Sequence, residues 1–306
     1  MTKTVAVLMG GWSPEREVSL SSGSECAKAL RDRGYAVRLI DVGRDLPELL
    51  RALEPYPDVI FNALHGLGGE DGAIQGVFEI LGIPYTHSGV LASALAMHKP
   101  TAKQLFARAG LPIVEGVVAV RDQLQWQDPM SAPFVIKPTN QGSTIGVRIV
   151  RAGDNSWQED IKNWRYGDEI LVERYIPGRE LSVAIMGERA LGVCEIVAPA
   201  GFYDYTAKYA PGGSTHLVPA PLPPREYEAA LAISLRAHKV LGCRGVSRAD
   251  LRYDDTAGGD GQLYLLEVNT QPGMTPTSLV PDIARHVGIG FDDIVVWMVE
   301  NARCDG

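Results

Sequence analysis

Two strand-like segments near the C-terminal end carry side chains suited to holding a hard cation and an anion together. In LYLLEVNTQPGMTP, residues 263–276, Glu267 and Asn269 follow an apolar run of Leu263, Tyr264, Leu265, Leu266 and Val268. On a strand of period two, their spacing turns a carboxylate and an amide to the same face. The preceding segment GVSRADLRY sets Val246, Arg248, Asp250 and Arg252 on one face and Ala249, Leu251 and Tyr253 on the other. A turn-rich DDTAGGDG joins the two, so an antiparallel hairpin is expected, with Asp250 opposite Glu267 and Arg248 near Asn269. Converging Asp, Glu and Asn oxygens suit Mg2+ held through one or two carboxylates and substrate phosphates. An arginine on that face suits an anion or a developing oxyanion. A salt-bridge network on an exposed sheet face fits the same residues.

Four further segments offer chemistry, each with a plainer reading beside it. PFVIKPTNQGSTIGV ends a strand at Lys137 and continues into a loop with Gly142, Ser143, Thr144 and Gly146. Small residues let backbone N–H groups approach phosphate oxygens, and the lysine can pair with them, although a hairpin turn has the same composition. It is not a Walker A loop, and no GxGxxG follows the first strand. EILVERYIPGREL spaces Glu173, Ile176 and Glu180 around a Pro-Gly turn, which suits a purine and a ribose or simply an acidic loop. GGWSPEREVS puts Glu15 ahead of a helix, where it can hold a substrate ammonium or just favour the helix dipole. HGLGGEDG places His65 at the C-terminal edge of a strand, the usual ligand side of an α/β sheet.

The elements that must position these residues follow a β-α-β rhythm at first. KTVAVLM, YAVRLIDV and PDVIFNAL read as strands of a mostly parallel sheet, with a helix from about Ser19 to Arg33 stopping at Gly34. The helix GAIQGVFEIL and a strand IPYTH close this unit near residue 95. A helix over Lys99 to Ala109 opens a second unit, in which APFVIKP, GVRIV and DEILVERY are strands. From about Gly178 the strands LSVAIM and ALGVCEIV, the helix REYEAALAISLRAHKVL and the hairpin form a third. The expected domains are 1–95, 96–177 and 178–306, in an α/β fold.

Bulk properties exclude several classes. A chain of 306 residues, 45% hydrophobic and 22% charged, can bury two or three cores. The net charge of −8 and the absence of a dense Lys/Arg run argue against general nucleic-acid binding. Cys26, Cys194, Cys243 and Cys304 are scattered with no CxxC spacing, as reduced cytosolic thiols are. No apolar run approaches the ~18 residues of a spanning helix, and the N-terminal run is too short for a signal peptide. A cytoplasmic protein without membrane or nucleic-acid partners is expected.

In order and spacing, GGWSPEREVSLSSG, HGLGGEDG, VIKPTNQGSTIGV, FYDYTAKY, SRADLR and EVNTQPGMTPTSLVP resemble the D-alanine–D-alanine ligase family of the ATP-grasp superfamily, over nearly the whole chain. The resemblance implies an ATP-grasp fold, with an N-terminal parallel α/β domain and two α+β domains that clamp ATP. It implies that ATP phosphorylates one D-alanine carboxylate and that a second D-alanine displaces the phosphate. Asp250, Glu267 and Asn269 would be ligands of two Mg2+ ions, with Mn2+ as a substitute and K+ as an activator among the options. Lys99, Lys137 and Lys208 would contact phosphates, and Glu173, Ile176 and Glu180 would hold adenine and ribose. Ser143 and Thr144 would lie in the Gly-rich loop. Arg248 and the N–H of Gly273 would form the oxyanion hole. Glu15 would bind the first ammonium in a set with Ser143 and Tyr209, His65 would lie beside the first D-alanine, and Ser278 and Leu279 would hold the second. A homodimer is the usual assembly of the family.

Three departures stand out. His98 replaces the usual acidic residue before Lys99, the loop DDTAGGDGQ is longer than common, and Trp12 and Pro14 differ beside Glu15. Ligation of D-alanine to D-lactate or D-serine, or a nucleotide-binding regulator without catalysis, are the alternatives. The resemblance of Tyr209 to the dipeptide-forming branch favours an amine nucleophile.

Overall fold

The computed structural model describes residues 2–124, 128–154, 156–197, 213–256, 258 and 261–305. It opens with β1 (Thr4–Gly10), α1 (Arg16–Asp32), β2 (Ala36–Val42), α2 (Leu46–Ala52) and β3 (Val59–Asn62). The three strands form a parallel sheet in the order β2-β1-β3. Its first strand is apolar on both faces because both are covered. Val5 and Val7 pack toward α1, while Ala6 and Leu8 enter a second core with Ile40, Leu53, Ile60 and Phe78.

The first helix starts three residues earlier than its sequence pattern suggests. Ser13 Oγ accepts from Glu15 N at 3.2 Å, and the first intrahelical bond runs from Ser19 N to Glu15 O at 3.0 Å. The helix ends as expected at Gly34, whose φ of 87° lets Gly34 N reach Arg31 O and Tyr35 N reach Leu30 O. The expected strand over IPYTH shrinks to two isolated bridges at Tyr85, one to Ile60 and one to Arg303.

Helices α3 (Ala73–Leu81), α4 (Val90–Met97) and α5 (Lys99–Arg108) lead to β4 (Gly116–Val120), and α6 (Arg121–Leu124) follows it. Next come β5 (Phe134–Pro138), β6 (Arg148–Val150), α7 (Trp157–Lys162) and β7 (Glu169–Arg174). These strands form an antiparallel sheet in the order β4-β7-β5-β6, with Phe134, Ile136, Trp157 and Val172 in its core.

The largest sheet is antiparallel, in the order β10-β9-β8-β11-β12. It comprises β8 (Arg179–Met186), β9 (Arg189–Val197), β10 (Thr215–Leu217), β11 (Val246–Tyr253) and β12 (Leu263–Asn269), with helix α8 (Pro224–Val240) inserted after β10. Leu181, Val183, Ala249 and Leu251 pack with α8 on one face. Ala184, Cys194 and Val246 on the other join α9 (Leu279–His286) and α10 (Phe291–Glu300). Val5, Val7, Leu30 and Phe61 belong to that same core, so the first and last sheets share one apolar mass. No helix among the described residues is long and apolar enough to cross a membrane.

Candidate active site

The hairpin holds the expected register. Arg248 pairs with Asn269 and Asp250 with Glu267. One irregularity does what simple alternation cannot. Between Asp250/Glu267 and Leu251/Leu265 the register slips, so Leu266 is an extra residue in β12. Strict period two would put Leu263, Leu265 and Glu267 on one face, burying the carboxylate with the leucines. The bulge changes the phase: Leu263 and Leu265 enter the core with Leu251, as does Val268, while Glu267 and Asn269 turn to the cleft.

Two open clefts meet at this hairpin, and Lys99, Gln141 and Glu267 line both. The first is bordered by Glu15, His65, Ser143, Arg248, Asn269 and Gly273, and also by Ser278 and Leu279. The second is bordered by Lys137, Thr144, Glu173, Ile176, Glu180 and Asp250, with apolar walls from Val114, Val135, Ile149 and Leu266. Sixteen of the eighteen residues singled out from the sequence therefore line these clefts. The other two, Lys208 and Tyr209, lie outside the described residues.

In the first cleft Glu15 is 5% exposed and stands at the N-cap of α1 without capping it. Its carboxylate instead accepts from the Ser143 hydroxyl, which sets aside the reading as a simple helix-dipole acid. Ser143 and Thr144 both adopt left-handed backbone, with φ of 52° and 62°, a strained arrangement for residues with a Cβ. His65 is held by its own carbonyl, which accepts from Ser13 Oγ at 2.7 Å. Its Nε2 is buried with no hydrogen-bond partner among the described residues, and burial lowers the imidazole below its ordinary pKa, with Glu15 opposing and Arg248 assisting. Gly273 is tight: a Cβ there would lie 3.0 Å from Ser278 Oγ, which itself accepts from Thr275 N at 2.9 Å.

Glu70 is a residue that the sequence reading passed over, although it lies in the quoted HGLGGEDG run. It is 6% exposed, accepts from Gly66 N at 2.9 Å, and lines the same cleft as Glu15. Burial first, and the charge of Glu15 second, raise its carboxyl to about 8. Gln271 is another. Its side chain accepts from Asn62 Nδ2 at 2.8 Å and donates to Leu64 O, while its N–H donates to Asn269 Oδ1 at 2.8 Å. One buried amide thus ties the end of β12 to the loop carrying His65.

The cation-suited corner is electrostatically complete as it stands. Arg248 forks onto Asp250, Nε to Oδ1 at 2.9 Å and Nη2 to Oδ2 at 2.8 Å, and Ser182 donates to the same carboxylate. Lys99 Nζ lies 3.1 Å from Glu267 Oε2 and donates to Gln141 O at 2.6 Å. The donor set is hard: two carboxylates that are register partners, with an amide two residues on. It fits Mg2+ that takes its remaining ligands from phosphate and water. His98 has a clear job: its Nδ1 lies 2.7 Å from Thr101 Oγ1 and 3.4 Å from Thr101 N, capping the helix that starts at Lys99.

In the second cleft Glu173 is 2% exposed and ion-paired to Lys137 and Lys103. Burial alone would raise its carboxyl, and the two lysines outweigh this and lower it. Its carboxylate is therefore held by cations before any ligand arrives. Glu180 pairs with Arg252 at 3.4 Å, and Arg252 Nε also donates to Ile176 O at 3.1 Å. The arrangement offers an apolar slot, cations for a polyanion, a hard-cation corner, and a buried pocket with a carboxylate for an ammonium.

A sequence profile described as D-ala D-ala ligase C-terminus matches residues 105–300, and one described as D-ala D-ala ligase N-terminus matches residues 48–88. The chain is 58% identical to a D-alanine–D-alanine ligase of Paramagnetospirillum magneticum, covering 100% of each protein. A crystal structure of D-alanine–D-alanine ligase from Bacillus anthracis, complexed with ATP, superposes with a TM-score of 0.82 at 31% identity, covering 98% of this chain and 96% of that one. VanG D-Ala:D-Ser ligase from Enterococcus faecalis superposes with a TM-score of 0.81 at 28% identity, covering 98% and 99%.

Proposed function

This chain belongs to the D-alanine–D-alanine ligase family, and on that premise we propose that it joins two D-alanine molecules into D-alanyl-D-alanine for peptidoglycan precursor synthesis. ATP is converted to ADP and phosphate through a D-alanyl phosphate. The observation that carries the reading is the meeting of an ammonium-binding pocket and a cation-rich slot at Glu267 and Lys99.

ATP lies in the second cleft, its adenine among Val114, Ile176 and Leu266 with Glu173 and Glu180 toward adenine and ribose. Lys99, Lys137 and Lys208 neutralise its phosphates, and Thr144 borders them. Glu15, which accepts from the Ser143 hydroxyl, receives the ammonium of the first D-alanine beside a neutral His65, with Tyr209 assigned to the same set. The D-alanine carboxylate oxygen attacks the γ-phosphorus in line and ADP leaves. The amine of the second D-alanine, its carboxylate at Ser278 and the start of α9, then attacks the acyl carbon. Arg248 and Gly273 N–H donate to the oxyanion, which collapses and expels phosphate as the amine loses its proton. Asp250, Glu267 and Asn269 would hold two Mg2+, or Mn2+, whose charge would screen the phosphate oxygens, with K+ an optional activator.

Residues 1–95 form the substrate domain in this reading and bring Glu15 and His65 to the amino-acid pocket, 96–177 form the first jaw of the ATP clamp, and 178–306 the second with the metal corner and the second D-alanine site. A cytoplasmic homodimer is the assembly and location proposed. The 58% identity over the full length with the D-alanine–D-alanine ligase of Paramagnetospirillum magneticum supports D-alanine as nucleophile. Incubation with ATP, Mg2+ and equal D-alanine, D-serine and D-lactate, with products weighed by mass spectrometry, tests this. D-alanyl-D-alanine as the main product is expected; a mixed product or none overturns it.

A further inference from the structure

Two cations share one buried carboxylate at the back of the second cleft, and they are not equivalent. Lys103 lies one helical turn after Lys99 on α5, is 7% exposed, and donates both to Glu173 Oε1 and to Val114 O, the latter at 2.7 Å. Lys137, at 2.6 Å from Glu173 Oε2, borders the open cleft together with Gln141, Asp250 and Glu267. A single buried carboxylate is neutralised by one cation. The second, Lys137, also faces Glu267 and Glu180 across the cleft, where an entering polyanion can draw it off Glu173.

We infer that Lys103 is a positioning residue: it is the resident counter-ion of Glu173, so that Lys137 is free to turn onto the phosphates of an entering nucleotide. With Lys103 present, the set Lys103, Lys137 and Glu173 carries one net positive charge toward the cleft. Without it, Lys137 is the counter-ion of a buried carboxylate, and nucleotide phosphates compete with Glu173 for it. The backbone anchor at Val114 O keeps Lys103 behind the carboxylate, while Lys137 borders the cleft that the nucleotide enters. The inference rests on the reading of this cleft as the ATP site.

The test compares ATP with adenosine, because only the phosphates need Lys137. Dissociation constants for both are measured by calorimetry on the wild type, Lys103→Met, Lys103→Arg and the pair Lys103→Met/Glu173→Gln, alongside KM values for ATP and D-alanine. Lys103→Met is expected to weaken ATP at least about tenfold, as befits a disrupted buried charge pair, and adenosine much less. Its KM for D-alanine stays within about threefold, since the amino-acid pocket is untouched. Lys103→Arg restores most of the loss. The double variant, with no carboxylate left to hold Lys137, regains the ATP-over-adenosine preference even if adenosine itself binds less well, and it serves if the single variant does not fold. Equal weakening of ATP and adenosine, or a double variant as poor as Lys103→Met, overturns the inference. A wild type that binds neither removes the ATP reading, and the inference with it.

Discussion

Replacing Arg248 by alanine separates two jobs that one guanidinium does. Arg248 faces the first cleft and also forks onto Asp250, the two side chains being 14% and 13% exposed. As an oxyanion donor its loss raises the barrier by about 3–4 kcal/mol, a fall in kcat of roughly 10²- to 10³-fold. As the partner of Asp250, its loss leaves a mostly buried carboxylate with the Ser182 hydroxyl, at a stability cost of about 3 kcal/mol. The freed carboxylate is the better cation ligand, so added Mg2+ recovers part of that stability, and the Mg2+ needed for half-maximal turnover holds or falls. Arg248→Lys keeps the charge but loses the fork and is intermediate. Phosphate release with ATP, D-alanine and Mg2+ varied in turn, beside urea unfolding with and without Mg2+, reads every part of this. An unchanged kcat with a tenfold rise in KM for ATP, or in the Mg2+ requirement, refutes the reasoning.

Deleting Leu266 makes Leu265 and Glu267 neighbours on opposite faces of a regular ladder, so Glu267 still faces the cleft and turnover is expected to persist with a raised KM for ATP, since Leu266 lines that cleft; loss of turnover at every Mg2+ concentration contradicts this account of the bulge. Glu70→Gln reads the raised carboxyl of Glu70. Its folded value lies above its unfolded one, so the stability of the wild type relative to the variant is greatest below the ordinary carboxylate range and falls as pH rises from there through about 8; pH-dependent urea melts that run parallel contradict this. Gln271→Leu strands Leu64 O and takes one of the two acceptors from Asn62 Nδ2, which keeps Gly69 O, and is expected to cost about 1–3 kcal/mol, with Asn62→Leu/Gln271→Leu costing less than the sum of the two single changes. Strict additivity in that cycle argues against the bridge.

The sequence made the hairpin legible because alternation is a local property: Asp250 opposite Glu267 follows from period two and one turn. The bulge at Leu266 is not local, because it resolves a conflict between the core-facing leucines and the cleft-facing carboxylate that only the packed sheet poses. Helix α1 was readable to its end, where Gly34 supplies a left-handed stop, and misjudged at its start, where Ser13 and not the apolar pattern sets the first turn. Helix α4, VLASALAM, lacks a polar stripe and so gives no periodic signal. Lys103 and Glu70 were visible only as charges on a helix and in a loop. Their meaning comes from partners 70 residues along the chain for Lys103 and across two elements for Glu70. Single motifs left each site residue open to a plain structural reading, and their convergence in two adjoining clefts is a tertiary fact.

The central claim is that a D-alanine carboxylate oxygen attacks the γ-phosphorus of ATP before the peptide bond forms. D-alanine labelled with ¹⁸O in both carboxylate positions tests it directly, with the released phosphate examined by mass. Transfer of one labelled oxygen into each phosphate, matched by D-alanyl-D-alanine formation, is the predicted result. Phosphate without label would mean that water and not the carboxylate receives the phosphoryl group, and would contradict the account.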